Sequence, residues 1–148
     1  MKRRVFLEAG AALAASVIVR PAAALAQSPV LKRLVNTFAM GAPVREGRVT
    51  LDIAPIVDSG NSVPVTISVD SPMSPSQHVV SIALFNEKNP QNDVAEFALS
   101  TLSGRARVAT RIRLAVSQQL VAVAKMNDGS CWSHRVDVLV TTAACIEE

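Results

Sequence analysis

The chain has 148 residues, 49% hydrophobic, 18% charged and 3% aromatic, with a formal net charge of +3. That apolar content falls in short alternating runs, which excludes a disordered chain and leaves room for one domain with one core. Tyrosine is absent and aromatics are scarce, which excludes a stacking platform for single-stranded nucleic acid.

Residues 1–26 read as a cleaved export signal. Lys2, Arg3 and Arg4 open it, an Ala-rich apolar stretch runs from Ala9 to Val19, and Ala24-Leu25-Ala26 offers small residues at both positions a signal peptidase requires. Cleavage is therefore expected before Gln27. The apolar stretch is shorter than the ~20 residues that span a bilayer, so no membrane anchor is expected. Arg3-Arg4-Val5-Phe6-Leu7 resembles a twin-arginine signal, with Lys2 where that pattern prefers Ser or Thr. Four of the 15 basic residues and one of the 12 acidic ones lie in this leader, leaving 11 of each in the mature chain. A neutral mature protein gives no electrostatic reason to bind nucleic acid or an anionic membrane.

Beyond the leader, Leu31, Leu34, Val35 and Phe38 recur at helical spacing and predict a short amphipathic helix between about Pro29 and Met40. After Gly41-Ala42-Pro43 the period becomes two. Strands are predicted over Arg48–Ile53, Val63–Val69, Val79–Phe85, Val94–Leu99, Arg105–Leu114, Leu120–Met126 and Trp132–Thr141. Pro64 marks its run as an edge strand or a strand start. Asp58–Asn61, Asn86–Asp93, Ser103-Gly104 and Asn127–Ser130 carry turn formers, the last as a hairpin signal. Seven short strands without interleaved helices predict an all-β, immunoglobulin-like antiparallel β-sandwich with a short N-terminal helix. A closed barrel fits the pattern nearly as well.

Catalytic signatures do not emerge. His78 and His134 are far apart and lack cysteines at ligand spacing, so no metal site is expected. No nucleophile elbow, phosphate loop or dinucleotide fingerprint occurs. Asp58, Asp70, Glu87, Asp93 and Glu96 fall in or beside turns, where carboxylates cap and solvate. Trp132 and Phe85 read as core residues.

The two cysteines are more informative. An exported protein with two cysteines first suggests a disulfide. Yet Cys131 precedes the last predicted strand and Cys145 follows it. Ten strand residues span ~33 Å, a disulfide needs Cα atoms within ~7 Å, and three residues reach back only ~10 Å. The thiols are expected to stay apart, with Cys131 a small buried hydrophobe and Cys145 presented near the frayed chain end. A redox enzyme pairing both thiols is disfavoured by the same geometry.

Gly60–Thr66, Val69–Met73, Ala83–Pro90 and Asp128–Trp132 together resemble the sulfur-oxidation carrier family SoxY, over most of the mature chain. The ending Ala143-Ala144-Cys145-Ile146-Glu147 is similar to the SoxY-related group whose arm reads Ala-Ala-Cys-Ile-Glu, where the thiosulfate carriers have Gly-Gly-Cys-Gly-Gly. The resemblance implies a sandwich domain over residues 27–142 and a cysteine arm over 143–148. It implies a non-catalytic periplasmic carrier without resident cofactor, paired with a SoxZ-like β-sandwich subunit that lacks its own signal. Cys145 is then the attachment residue for a covalent sulfur cargo, shown in turn to sulfur-oxidising enzymes, and Ala143, Ala144, Ile146 and Glu147 form the arm. The other reading is an interaction module whose tail docks without cargo.

The arm's departure from glycine has physical consequences. Ala143, Ala144 and Ile146 make it stiffer and thicker than a glycine arm. Glu147, Glu148 and the terminal carboxylate place three negative charges near the Cys145 thiol. Like charges disfavour the thiolate, so the thiol is expected to be sluggish until a basic partner neutralises the tail.

Overall fold

The structure, a computed structural model, describes residues 28–143. The predicted leader lies outside them. Helix α1 spans Pro29–Phe38, with proline in its first turn, where its missing N–H costs nothing. It ends as the chain passes through Met40 and Gly41 at positive φ. Leu31 and Val35, four residues apart on one face, are buried against Ala83, Phe85, Val121 and Val123. Phe38 meets Phe85 edge to face, ring centroids 6.1 Å apart.

Among the described residues nine strands follow: β1 (Val44–Glu46), β2 (Val49–Asp52), β3 (Ile56–Ser59), β4 (Val63–Val69), β5 (Val79–Asn86), β6 (Asp93–Ala98), β7 (Arg107–Ile112), β8 (Gln118–Met126) and β9 (Cys131–Thr142). The larger sheet has the order β1-β9-β8-β5-β6, with β3 also on β9, and the smaller sheet is β2-β4-β7. Leu51, Val63, Val65 and Ile67 of the smaller sheet pack against Ile82, Leu84, Leu120 and Ala122 of the larger in one core. This is the expected all-β sandwich with its N-terminal helix. Because α1 covers the outer side of β5 and β8, both strands are buried on two faces and read as nearly continuous apolar runs.

The pairing differs from the all-antiparallel expectation at one edge. β1 runs parallel to the start of β9, Val44 opposite Cys131, and β3 runs parallel to its end, Ile56 opposite Leu139. Laid end to end, these two short strands cover the edge that β9 would otherwise expose. Asp58 and Ser59, expected in a turn, belong to β3, and only Gly60-Asn61 turns. Pro64 is the second residue of β4, where β4 pairs with β7 alone because β2 reaches only Thr66. It therefore sits at a strand start that is also locally an edge.

Candidate functional site

The place to which the sequence assigns function is the end of β9, and the structure fixes that end closely. The Thr142 carbonyl accepts a hydrogen bond from the Gly60 amide at 3.0 Å, and the Gly60 carbonyl accepts from the Leu114 amide at 2.8 Å. The buried Gly60 thus ties β9 to the segment after β7. The Thr141 hydroxyl donates to the Asp58 carbonyl at 2.9 Å. On the opposite edge β8 begins only at Gln118, and the Ser117 side chain stands in for the missing strand. The Val140 amide donates to Ser117 Oγ at 2.8 Å, and that hydroxyl donates to the Val140 carbonyl at 3.3 Å. β9 is therefore held on both edges almost to its last residue.

Ala143 follows, exposed and outside any strand. Ala144, Cys145, Ile146 and Glu147 lie outside the described residues. Chain connectivity alone puts Cys145 within ~10 Å of Thr142.

Cys131 is the first residue of β9, one position earlier than expected for that strand, and is a buried free thiol. Its Sγ donates weakly to the Gly129 carbonyl at 3.8 Å. Burial pushes this thiol above its usual range, with Asp128 adding to the effect and Lys125 opposing it. The twelve residues of β9 cover roughly 36 Å, and the ~10 Å arm cannot bring Cys145 back to Cys131.

The remaining residues singled out by sequence have structural partners. The His134 Nδ1 accepts from the Leu51 amide at 3.0 Å, joining the free edge of β2 to β9. His78 Nδ1 lies 3.1 Å from the Ser74 carbonyl. Among the described residues no three His, Cys, Asp or Glu side chains converge on a position for a metal ion. Trp132 is half-buried rather than fully in the core. Its ring is flanked by the Arg48 and Arg45 guanidinium carbons at 4.9 and 5.6 Å. Asp128 accepts from the Ser130 hydroxyl and amide, which holds its carboxyl below the usual range. Among the described residues no helix is long and apolar enough to cross a membrane.

Sequence reasoning missed the parts that hold the end of β9: β3, Gly60 and Ser117. The apolar pair Ile56-Val57 was their one local signal, and it is too short to show a period.

Fold and site together define a two-sheet sandwich domain whose last strand is clamped on both edges. The family model described as sulfur oxidation protein SoxY matches residues 35–145, and the chain belongs to that family. Among solved structures, the sulfur carrier protein SoxY from Chlorobium limicola f thiosulfatophilum is similar. Its TM-score is 0.63 at 23% identity, covering 74% of this chain and 90% of that one. A superoxide reductase (neelaredoxin) from Ignicoccus hospitalis superposes with TM-score 0.56 at 20% identity, over 64% of this chain and 80% of its own. The superoxide reductase from Nanoarchaeum equitans gives 0.55 at 14%, over 65% and 100%. At these identities the likenesses show the shared sandwich alone. No curated protein sequence matches.

Proposed function

We propose that this protein is an exported, non-catalytic sulfur carrier that holds a sulfur compound covalently on Cys145 and presents it to sulfur-oxidising enzymes. The observation that carries the reading is the clamp on β9: a rigid strand fixed through Thr142 is followed directly by the segment that contains Cys145. A carrier needs this combination, because the domain must stay folded while a thiol on a short tether visits other active sites. Family membership supports the pathway. The inert surroundings of Cys131 leave Cys145 as the thiol for cargo.

The chemistry is that of a disulfide-like bond. For thiosulfate, joining a cysteine thiol to the terminal sulfur forms an S–S bond and releases one proton and two electrons. An electron-accepting enzyme must therefore take the pair. Later oxidation or hydrolysis acts on the bound sulfur, and the carrier supplies only the tether. The leader delivers the protein to the periplasm by the twin-arginine route, together with a SoxZ-like β-sandwich subunit.

Intact-mass spectrometry with peptide mapping, on protein purified from the periplasm without reductant, tests the reading. An adduct on the C-terminal peptide is expected, released by reductant and absent in Cys145→Ser, with a mass that names the cargo. A bare thiol from cells actively oxidising sulfur compounds would favour a cargo-free interaction module instead.

A further inference from the structure

Helix α1 covers only the β5–β8 part of the larger sheet's outer face. Among the described residues nothing covers the part formed by the end of β9, and a groove of about 330 Å³ lies there. Pro55, Glu87, Lys88, Gln119, Asp137 and Leu139 line it. Leu139 is 53% exposed and its register partner Ile56 is 60% exposed, so two large apolar side chains stand side by side at its rim.

Ser117 and Gln118 also line the groove, but their donors are turned to Val140, Asn89 and Val116, which leaves the Glu87 and Asp137 carboxylates as its main open polar groups. Gln119, 7% exposed, spends its donors on the two neighbouring carboxylates: its amide N–H reaches Glu87 Oε2 at 3.3 Å, and its Nε2 reaches Asp137 Oδ1 at 3.1 Å. Its Oε1 is buried and has no hydrogen-bond partner. Lys88 adds one cation, but its Nζ lies 3.4 Å from the Ser117 carbonyl. Two carboxylates with unused lone pairs therefore line the groove beside a buried amide oxygen that lacks a donor. A buried acceptor without a donor is costly and uncommon in native structures.

We propose that this groove receives an arginine side chain of a partner protein, with neighbouring apolar residues of that partner covering Ile56 and Leu139. A guanidinium offers five N–H donors in a planar fork and no acceptor, which matches Glu87, Asp137 and the Gln119 oxygen. Its aliphatic stem is suited to Pro55 and Leu139. The inference rests on the carrier reading only for the purpose of docking beside the arm. The groove's chemistry stands without the thiol.

The test therefore uses the ¹⁵N-labelled Cys145→Ser chain, titrated with acetyl-Leu-Arg-amide, while the Gln119 side-chain amide and the Asp137 backbone amide are followed by NMR. The expected result is saturable shifts in the millimolar range. Binding should weaken on the order of tenfold in Asp137→Asn, the size of one lost charged contact. The neutral analogue with citrulline in place of arginine should give no saturation. Asp137→Asn keeps a side-chain oxygen to accept from Gln119 Nε2, and the exposed Leu139→Asp provides an independent second variant that should also weaken binding. Absence of shifts at Gln119, or equal shifts with citrulline, or binding unchanged in both variants, would overturn the proposal. Failure here leaves the mass of the Cys145 adduct untouched, so the two readings fall separately.

Discussion

The Gly60 amide donates to the Thr142 carbonyl across 3.0 Å, and through this bond a loop between the third and fourth strands fixes the last residue of the last strand. The consequence is a strand that is held firmly through its last residue. How much of that rigidity each contact supplies is measurable.

Ser117→Ala removes the side chain that substitutes for a neighbouring strand at Val140, so the Val140 amide loses this acceptor. A loss of about 1 kcal/mol is expected. Hydrogen exchange at Val140 should accelerate about fivefold if the change acts through local opening. Exchange at Ile82 and Leu84, deep in the core, should stay unchanged.

The tail charges make a kinetic prediction. On the proposed reading Glu147 and Glu148 hold the Cys145 thiol towards its protonated form, so alkylation by iodoacetamide should be slow. The Glu147→Gln, Glu148→Gln double variant should react a few-fold faster, and added salt should narrow the difference. Cys131 should react only after denaturation, because it is buried. Equal rates in both proteins would remove the tail from the account.

Cys131 also predicts how stability responds to alkali. Its folded-state pKa is raised by burial, so the native state prefers the neutral thiol. Stability from this source is fully present below the unfolded thiol pKa, near ~8.5. It is lost as pH rises from there through the higher folded value. Denaturant midpoints should fall between pH 8 and 10 in the wild type and fall less in Cys131→Ala. The chain has no tyrosine to titrate in the same window.

The helix is held by burial rather than by capping, since Ser28 makes no side-chain cap hydrogen bond. Leu31 is wholly buried against the larger sheet. Leu31→Ala should therefore cost roughly 2–5 kcal/mol, read as a lowered thermal midpoint. Lys32→Ala, on the exposed side, should change it little.

The sequence was legible wherever a signal was local. The helix showed itself through the spacing of Leu31, Leu34, Val35 and Phe38, and β4 was bounded correctly because Val63, Val65, Ile67 and Val69 alternate with more polar partners. The hairpin at Asn127–Ser130 was announced by its own residues. β7 proved shorter than its apolar pattern: Gly104, at φ 70°, turns the chain before it, and Leu114 leaves the ladder to bond Gly60. β8 began earlier than expected because the polar Gln118 and Gln119 find side-chain partners in Asn89 and Asp137.

By itself, then, the sequence determined the sandwich, its short N-terminal helix and the place of Cys131 at the start of the last strand, because periodicity and turn chemistry are local properties. Only the tertiary structure decided what covers the edge of β9, what clamps the foot of the arm, and that Pro55, Glu87, Gln119, Asp137 and Leu139 line one groove. Strands of three and four residues carry too little periodicity to be read. Parallel pairing joins segments some 80 residues apart, and no local pattern encodes such a partner before the chain has folded.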